Sequence, residues 1–333
     1  MFPCVADAAL TSLRKSLRFS RRAIYAAGTL QNLKTQLRSY FLFCLYFGFR
    51  PVPANSDVIC LYAQFVARTI TPASIRQYLN GVRILHLTCG VAFHVLEDFI
   101  VKITLKGIAK LALHTPKSAL AITVPILLAV SRCVDHSAPS ESVVFTAALF
   151  SFFLLARLSN IVPKSATPNS VKPFLCRKDI LHIDDILVVV FHWTKTIQRS
   201  ERKLSIPLVP IPGSPLCPVS AYLAMIQGTP ALSTSPAFLH IVKGKLVPLT
   251  KGVFIKVFRE LLCRANVPLY KSYTGHSFRR GGATWAFGAG LPGEVIQVIG
   301  DWHSDCYKRY FEFSLDTMLT VGQRVRDSIL KFP

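Results

Sequence analysis

Between Thr274 and Phe311 the chain reads TGHSFRRGGATWAFGAGLPGEVIQVIGDWHSDCYKRYF. His276 stands three residues before Arg279, and Tyr307 three before Tyr310. Imidazole, guanidinium and phenol are the groups that hold and attack a phosphate. The same stretch also fits ordinary amphipathic helices with packed tyrosines. A helix starting near Ser277 puts His276 and Arg279 side by side. Thr274 and Gly275 before it would leave free N–H groups, a natural anion site. Gly281 and Gly282 cost helix stability but permit a close backbone approach. A second helix is predicted over 291–300, with Pro292 near its first turn and Gly300 at its end. A third is predicted over 304–311, capped by Ser304 with Asp305 behind it, with Tyr307 and Tyr310 on one face.

These groups need elements to position them. Residues 12–113 read as helices. In 29–49 apolar residues recur at 30, 33, 37, 41 and 45, a helical period. Ser56 is a plausible N-cap for 56–68. Thr71 before Pro72 opens 71–90, which stops at Gly90. A fourth helix covers 94–113. Four such helices make a compact bundle, ending near HTPKSA, 114–119, a short linker. Helices follow at 123–134 and across the buried run 142–156. The period then changes: DDILVVVFHW (184–193) is β-rich, and KLSIPLVPI (203–211) follows a polar turn, a hairpin pattern. Helical pattern returns at 218–228 and 251–267. The expected fold is mainly α with one small antiparallel sheet, in two domains, 1–117 and 118–333.

Charge names the class of partner. The 333 residues carry 39 Lys plus Arg against 17 Asp plus Glu, a net charge of +22. Residues 1–118 hold 15 and 4, and residues 119–333 hold 24 and 13, so each part contributes +11. A basic excess spread over both parts implies a polyanion, most simply nucleic acid, touched by both. Mean hydropathy is +0.40, yet the longest apolar run, Ser142–Ala156, is shorter than the roughly 20 residues a membrane span needs. No membrane partner is expected. The N-terminus shows no signal-peptide pattern. Nine cysteines lie without CxxC or zinc spacing, as reduced core thiols of an intracellular protein would. Neither disulfides nor a structural metal are expected.

Taken together, His-x-x-Arg opening a helix, a Gly-ended helix, and a Tyr ten residues past that Gly resemble the tyrosine recombinase (phage integrase) family. The wording GHSFRRGGAT…GDW.SD.Y.RY is most similar to recombinases of eukaryotic mobile elements of the Crypton and DIRS types. The motif resemblance covers about 120–315. The N-terminal bundle is similar to the family's core-binding domain only in type and placement. The resemblance implies two further residues: Arg157, after the apolar helix in FFLLARLSNIVP, and Lys195, inside the hairpin. It then implies the catalytic set Arg157, Lys195, His276, Arg279, Trp302 and Tyr310. It implies a double-stranded DNA substrate, no metal or nucleotide cofactor, self-assembly into a tetramer at synapsis, and a nuclear location.

Physical chemistry gives these residues coherent roles. Two guanidiniums, Arg157 and Arg279, can hold the non-bridging oxygens of a phosphodiester under attack. Cations and a base favour the ionised form of Tyr310, the implied nucleophile. Lys195 is the implied acid for the leaving 5′-oxygen, and His276 assists proton transfer. Many family members carry His where this chain has Asp301. An Asp there would repel a phosphate, so Asp301 is expected to point away, with Trp302 taking the role and His303 in reserve. Tyr307 remains a rival nucleophile, one turn from Tyr310. Lys203 begins the second hairpin strand, and Arg280 is expected off the clamp, towards flanking DNA. Other readings stay open: a non-catalytic DNA-binding protein derived from such a recombinase, and a type IB topoisomerase.

Overall fold

The computed structural model describes residues 3–112, 119–166, 174–197, 201–310 and 315–331. The chain divides into two compact units, Met1–Lys117 and Ser118–Pro333.

The first unit is helical. It comprises α1 (Pro3–Ala23), α2 (Ala27–Phe47), α3 (Ser56–Ala67), α4 (Pro72–Thr88) and α5 (Phe99–Leu111). α1 starts well before residue 12, and it is exposed along its length where described. Asn55, not Ser56, caps α3: its Oδ1 accepts from Val58 N at 2.9 Å. Ser56 instead donates to Asp98 Oδ2, and Asp98 Oδ1 accepts from Ile100 N. Asp98 therefore starts α5 at Phe99 and ties it to α3. Its capping breaks the single helix expected over 94–113 into a 3₁₀ turn and α5. Thr71 caps α4 as its Thr-Pro start demands. α2 packs on α4 and α3 on α5, around Tyr40, Phe43, Ile59, Tyr62, Ile75, Leu79 and Val82. His86 is fully buried there and satisfied, bonded to Ala54 N and Val82 O.

In the second unit α6 (Val124–Ser131) precedes α7 (Pro139–Phe153), whose residues 143–150 are all buried. The run Ser142–Ala156 is thus a core helix, and among the described residues no helix is long and apolar enough to cross a membrane. A single turn, α8 (Leu158–Ile161), follows. Then comes an antiparallel sheet of β1 (Ile180–Ile183), β2 (Ile186–Phe191) and β3 (Leu204–Leu208) in that order. Val189 pairs with Ile206 and Leu187 with Leu208. Leu187, Val189 and Phe191 face the core with Leu204, Ile206 and Leu208, the period-2 pattern of a half-buried sheet. β1 lies outside the predicted hairpin because four residues with one buried side chain give little pattern. After α9 (Pro218–Gly228), a second hairpin, β4 (Leu239–Val242) and β5 (Lys245–Pro248), corrects the expectation of one sheet. Its turn is Lys243-Gly244, both at positive φ, between strands too short to display alternation.

The chain closes with α10 (Lys251–Arg264), α11 (Gly275–Gly288), α12 (Gly293–Ile299) and α13 (Leu315–Ile329). The fold class is mainly α with small antiparallel sheets. Phe254 and Phe258 of α10 stack on each other and Phe278 of α11 meets both edge-on, at centroid distances of 4.7 to 5.8 Å. α11 crosses α7 closely because Gly282 has no side chain, and lies against the stretch of chain before α6 because Gly281 has none. A Cβ on Gly281 would collide with the Ile122 carbonyl, and one on Gly282 with the Phe152 carbonyl. Ile122 N also donates to Ser277 O at 3.0 Å.

Candidate active site

Arg279 organises the site. It rises from the second turn of α11 into the core and is 2 % exposed. Nη1 donates to Leu155 O at 2.6 Å, and Nη2 donates to Gly300 O. One guanidinium thus joins the end of α7 to the end of α12. Its Cζ lies 3.6 Å from the Trp302 ring centroid, a buried cation–π contact. Gly300 makes room for this: a Cβ there would occupy the Trp302 ring. Trp302 turns back after α12, with its N–H on Gln297 O and its carbonyl accepting from Gln297 Nε2.

Trp302 is also the floor for the two tyrosines. Its ring centroid is 5.8 Å from Tyr310 and 6.1 Å from Tyr307. Both sit on a 3₁₀ turn, Asp305–Tyr310, where an α-helix was expected. Thr284 Oγ1 donates to Tyr310 O and ties that turn to α11. In a 3₁₀ turn residues i and i+3 eclipse, so the tyrosines share a face. They differ in burial: Tyr307 is 3 % exposed, whereas Tyr310 is partly open.

Arg157 stands just before α8, two residues after Leu155, the residue whose carbonyl Arg279 holds. Its Nη1 is buried without a hydrogen-bond partner. Burial first, and then the charge of Arg157, pulls the Arg279 pKa down to about 9, while Tyr310 and Asp301 oppose that shift. Arg279 still carries its charge at neutral pH. Two guanidiniums in each other's field, one with a buried orphan donor, suit the binding of an anion.

His276 is on the first turn of α11. Although the residue is exposed at the surface, partial desolvation of the ring, followed by the charges of Arg279, Arg157, Lys251 and Lys195, lowers its pKa from the ordinary 6.5. The imidazole is therefore neutral at pH 7, with a nitrogen able to accept a proton. The first-turn amides of α11 are not the free anion site the sequence suggested. Thr274 Oγ1 accepts from His276 N, Ser277 N donates to Thr274 O, and Ser277 Oγ accepts from Thr274 N. This capping box absorbs the donors.

Lys195 is exposed and lies between β2 and β3. Lys203 precedes β3 and is exposed. Arg280 lies off the clamp as expected, and its Nη1 donates to Ala119 O at 2.9 Å. Asp301 is 6 % exposed and turned into the hairpin, where Thr194, Thr196 and Arg202 bond it. The charge on Lys251 was not legible as a site feature. One signal existed: a lysine in the first turn of a helix opposes the helix dipole and so calls for another reason to be there. Among the described residues no three His, Cys, Asp or Glu side chains are grouped as metal ligands would be.

The Tn1549 transposon integrase (residues 82–397), in complex with circular intermediate DNA, superposes with TM-score 0.59 at 13% identity. The match covers 92% of this chain and 96% of that one. A lambda integrase (75–356) dimer bound to a COC′ core site gives 0.56 at 14% identity over 90% and 94%. The XerH site-specific recombinase bound to difH gives 0.53 at 11% identity over 86% and 76%. The fold matches that of tyrosine recombinase catalytic domains. No protein-family model and no curated protein sequence matches the chain.

Proposed function

We propose that the protein is a site-specific DNA recombinase that breaks and rejoins duplex DNA through a 3′-phosphotyrosyl intermediate. The observation that carries this is the convergence on one tryptophan. Arg279 lies on Trp302, Tyr310 lies against it, and the orphan donor of Arg157 shares their field. A phosphodiester among these groups would find the orphan Nη1 of Arg157, those N–H groups of Arg279 not given to Leu155 O and Gly300 O, and a phenol beside it.

In the proposed step the Tyr310 Oη–P bond forms and the P–O5′ bond breaks. The phenol proton goes to neutral His276, and Lys195 gives a proton to the departing 5′-oxygen. Rejoining runs the same transfers backwards. The covalent link keeps the phosphodiester's bond energy, so no nucleotide is consumed. The burial of Tyr307 supports Tyr310 as the nucleophile. In this reading the first unit is a core-binding domain, and both units contribute charge to the DNA contact. Its affinity then falls steeply with salt. Similarity of the 274–311 wording to Crypton and DIRS recombinases supports a mobile-element origin and, with it, a nuclear site of action. α13 exposes Met318, Leu319, Val325 and Ile329, an apolar set that supports assembly on DNA as a tetramer.

The test is a nicked suicide substrate from candidate element ends, incubated with the protein in EDTA. An SDS-resistant adduct that survives Tyr307→Phe and vanishes in Tyr310→Phe supports the reading. An adduct persisting in Tyr310→Phe overturns it. Tight, salt-sensitive binding of the same ends without any adduct reassigns the chain to DNA binding alone.

A further inference from the structure

Asp301 holds a strained and costly position. Its φ is +54°, in the left-handed region, which Asp tolerates better than most residues. Its carboxylate is buried beside a cationic site, yet both oxygens are spoken for by the hairpin. Oδ2 accepts from Thr194 Oγ1 at 2.5 Å and from Thr196 Oγ1, and Oδ1 pairs with Arg202 Nη2. Burial pushes this carboxyl up, and the bonds from Thr194, Thr196 and Arg202 outweigh it and hold it below the usual range. It is therefore an anion at neutral pH and a strong acceptor.

The partners are informative by position. Thr194 and Thr196 flank Lys195. Thr194 Oγ1 also accepts from Thr196 N and Ile197 N, and Thr194 N donates to Ile197 O, so residues 194–197 close on themselves around one hydroxyl. At the other end Asp301 is itself fixed. Its N–H donates to Val298 O, and the preceding carbonyl, Gly300 O, is gripped by Arg279. A continuous path therefore runs from Arg279 by a hydrogen bond to Gly300, along the chain to Asp301, and by hydrogen bonds to both neighbours of Lys195.

We propose that Asp301 is a positioning residue: it latches the 194–197 loop to the end of α12 and so sets Lys195 relative to the phosphate held at Arg279. This deepens the recombinase reading and rests on it, since it assigns Lys195 the proton given to the 5′-oxygen. A direct contact of Asp301 with substrate is disfavoured by its geometry, because both of its oxygens face the hairpin. Lys195 sits on a loop and ends in a flexible four-carbon stem. Without the latch it would sample many positions, and proton donation would fail while phosphate binding persisted.

The deciding experiment compares single-turnover cleavage of an ordinary nicked substrate with one whose bridging 5′-oxygen is sulfur. A thiolate leaves without a proton. Lys195→Ala and Asp301→Ala should both slow the oxygen substrate by about 10²-fold or more. Both should return to within about tenfold of wild type on the sulfur substrate, whereas Tyr310→Phe is dead on both. Thr194→Val/Thr196→Val should behave as Asp301→Ala does. Asp301→His, which lacks the anion, should also lose rate on the oxygen substrate. An Asp301→Ala defect equal on both substrates, or a gain of rate in Asp301→His, overturns the proposal. Amide hydrogen exchange gives a readout independent of cleavage. Asp301→Ala should speed exchange at Thr196 and Ile197 by about tenfold or more and leave α11 unchanged. Should wild type cleave neither substrate, the recombinase reading fails alone, and unchanged exchange at those amides is what refutes the latch.

Discussion

The guanidinium of Arg279 lies 3.6 Å from the centroid of the Trp302 ring, and both are buried. The contact does two jobs. It stabilises a charge taken out of water, and it fixes the plane on which Tyr310 rests. Trp302→Phe keeps a ring and most of the packing but weakens the cation–π contact, so cleavage should fall about tenfold with little loss of fold. Trp302→Ala leaves a cavity under Arg279 and should cost about 3–5 kcal/mol of stability. Thermal melting and single-turnover cleavage separate the two effects. Equal cleavage by Trp302→Phe and wild type would limit Trp302 to packing.

The glycine pair of α11 gives a sharper stability contrast. Gly281→Ala drives a methyl into the Ile122 carbonyl, which is backbone and cannot rotate away. The expected cost is about 3 kcal/mol, the upper end for overpacking. Gly288, in the last turn of the same helix, has open space around it. Gly288→Ala should be neutral or stabilise by up to about 1 kcal/mol. Denaturant melts of both variants make the comparison, and similar midpoints would refute the close approach of α11 to the Ile122 backbone.

Much of this arrangement could be read before any coordinates. The long helices announce themselves by their period, and α7 by its unbroken apolar run. The Gly-Gly pair and the spacing of His276, Arg279 and Tyr310 were visible because local sequence sets them. What escaped has a common cause. β1, β4 and β5 are four residues each, too short for alternation to show. The roles of Thr194, Thr196 and Arg202 depend on contacts with Asp301 across 99 to 107 residues of chain, which no local pattern encodes. Nor does any local pattern bring the charge of Lys251 to His276. The bond of Arg280, which lies off the clamp as expected, was hidden for the same reason: its acceptor, Ala119 O, is 161 residues away.

His276 provides the pH prediction. Its pKa in the folded protein lies below 6.5, through partial desolvation of the ring first and then four neighbouring cations. The unfolded chain therefore binds a proton more readily. Stability contributed by this group is present above pH 6.5 and is lost as pH falls through the lowered value. NMR of the imidazole C–H protons in the free protein should show His276 titrating below 6.5. Arg157→Gln removes one cation and should move that midpoint upwards. A His276 titration at or above 6.5 in wild type would mean that the cations do not converge on it.

Arg157 should trade stability for function. Its Nη1 is buried without a partner, and its charge opposes that of Arg279. The Arg279 pKa of about 9 against an ordinary 12.5 shows the sign. The unfolded state binds the proton more tightly, so at every pH below 9 the folded state bears the full cost of that charge. Part of this cost comes from Arg157. Arg157→Gln should therefore raise the melting temperature of the second unit by about 2–4 °C, the shift expected for roughly 1 kcal/mol in a unit of this size. The same change should abolish adduct formation. Inorganic phosphate at constant ionic strength should stabilise wild type, because an anion would bond the orphan Nη1 of Arg157 and offset the repulsion between the two guanidiniums, and should stabilise Arg157→Gln far less. A lower melting temperature for Arg157→Gln would show that the guanidinium is structurally satisfied, against its role in holding a phosphate.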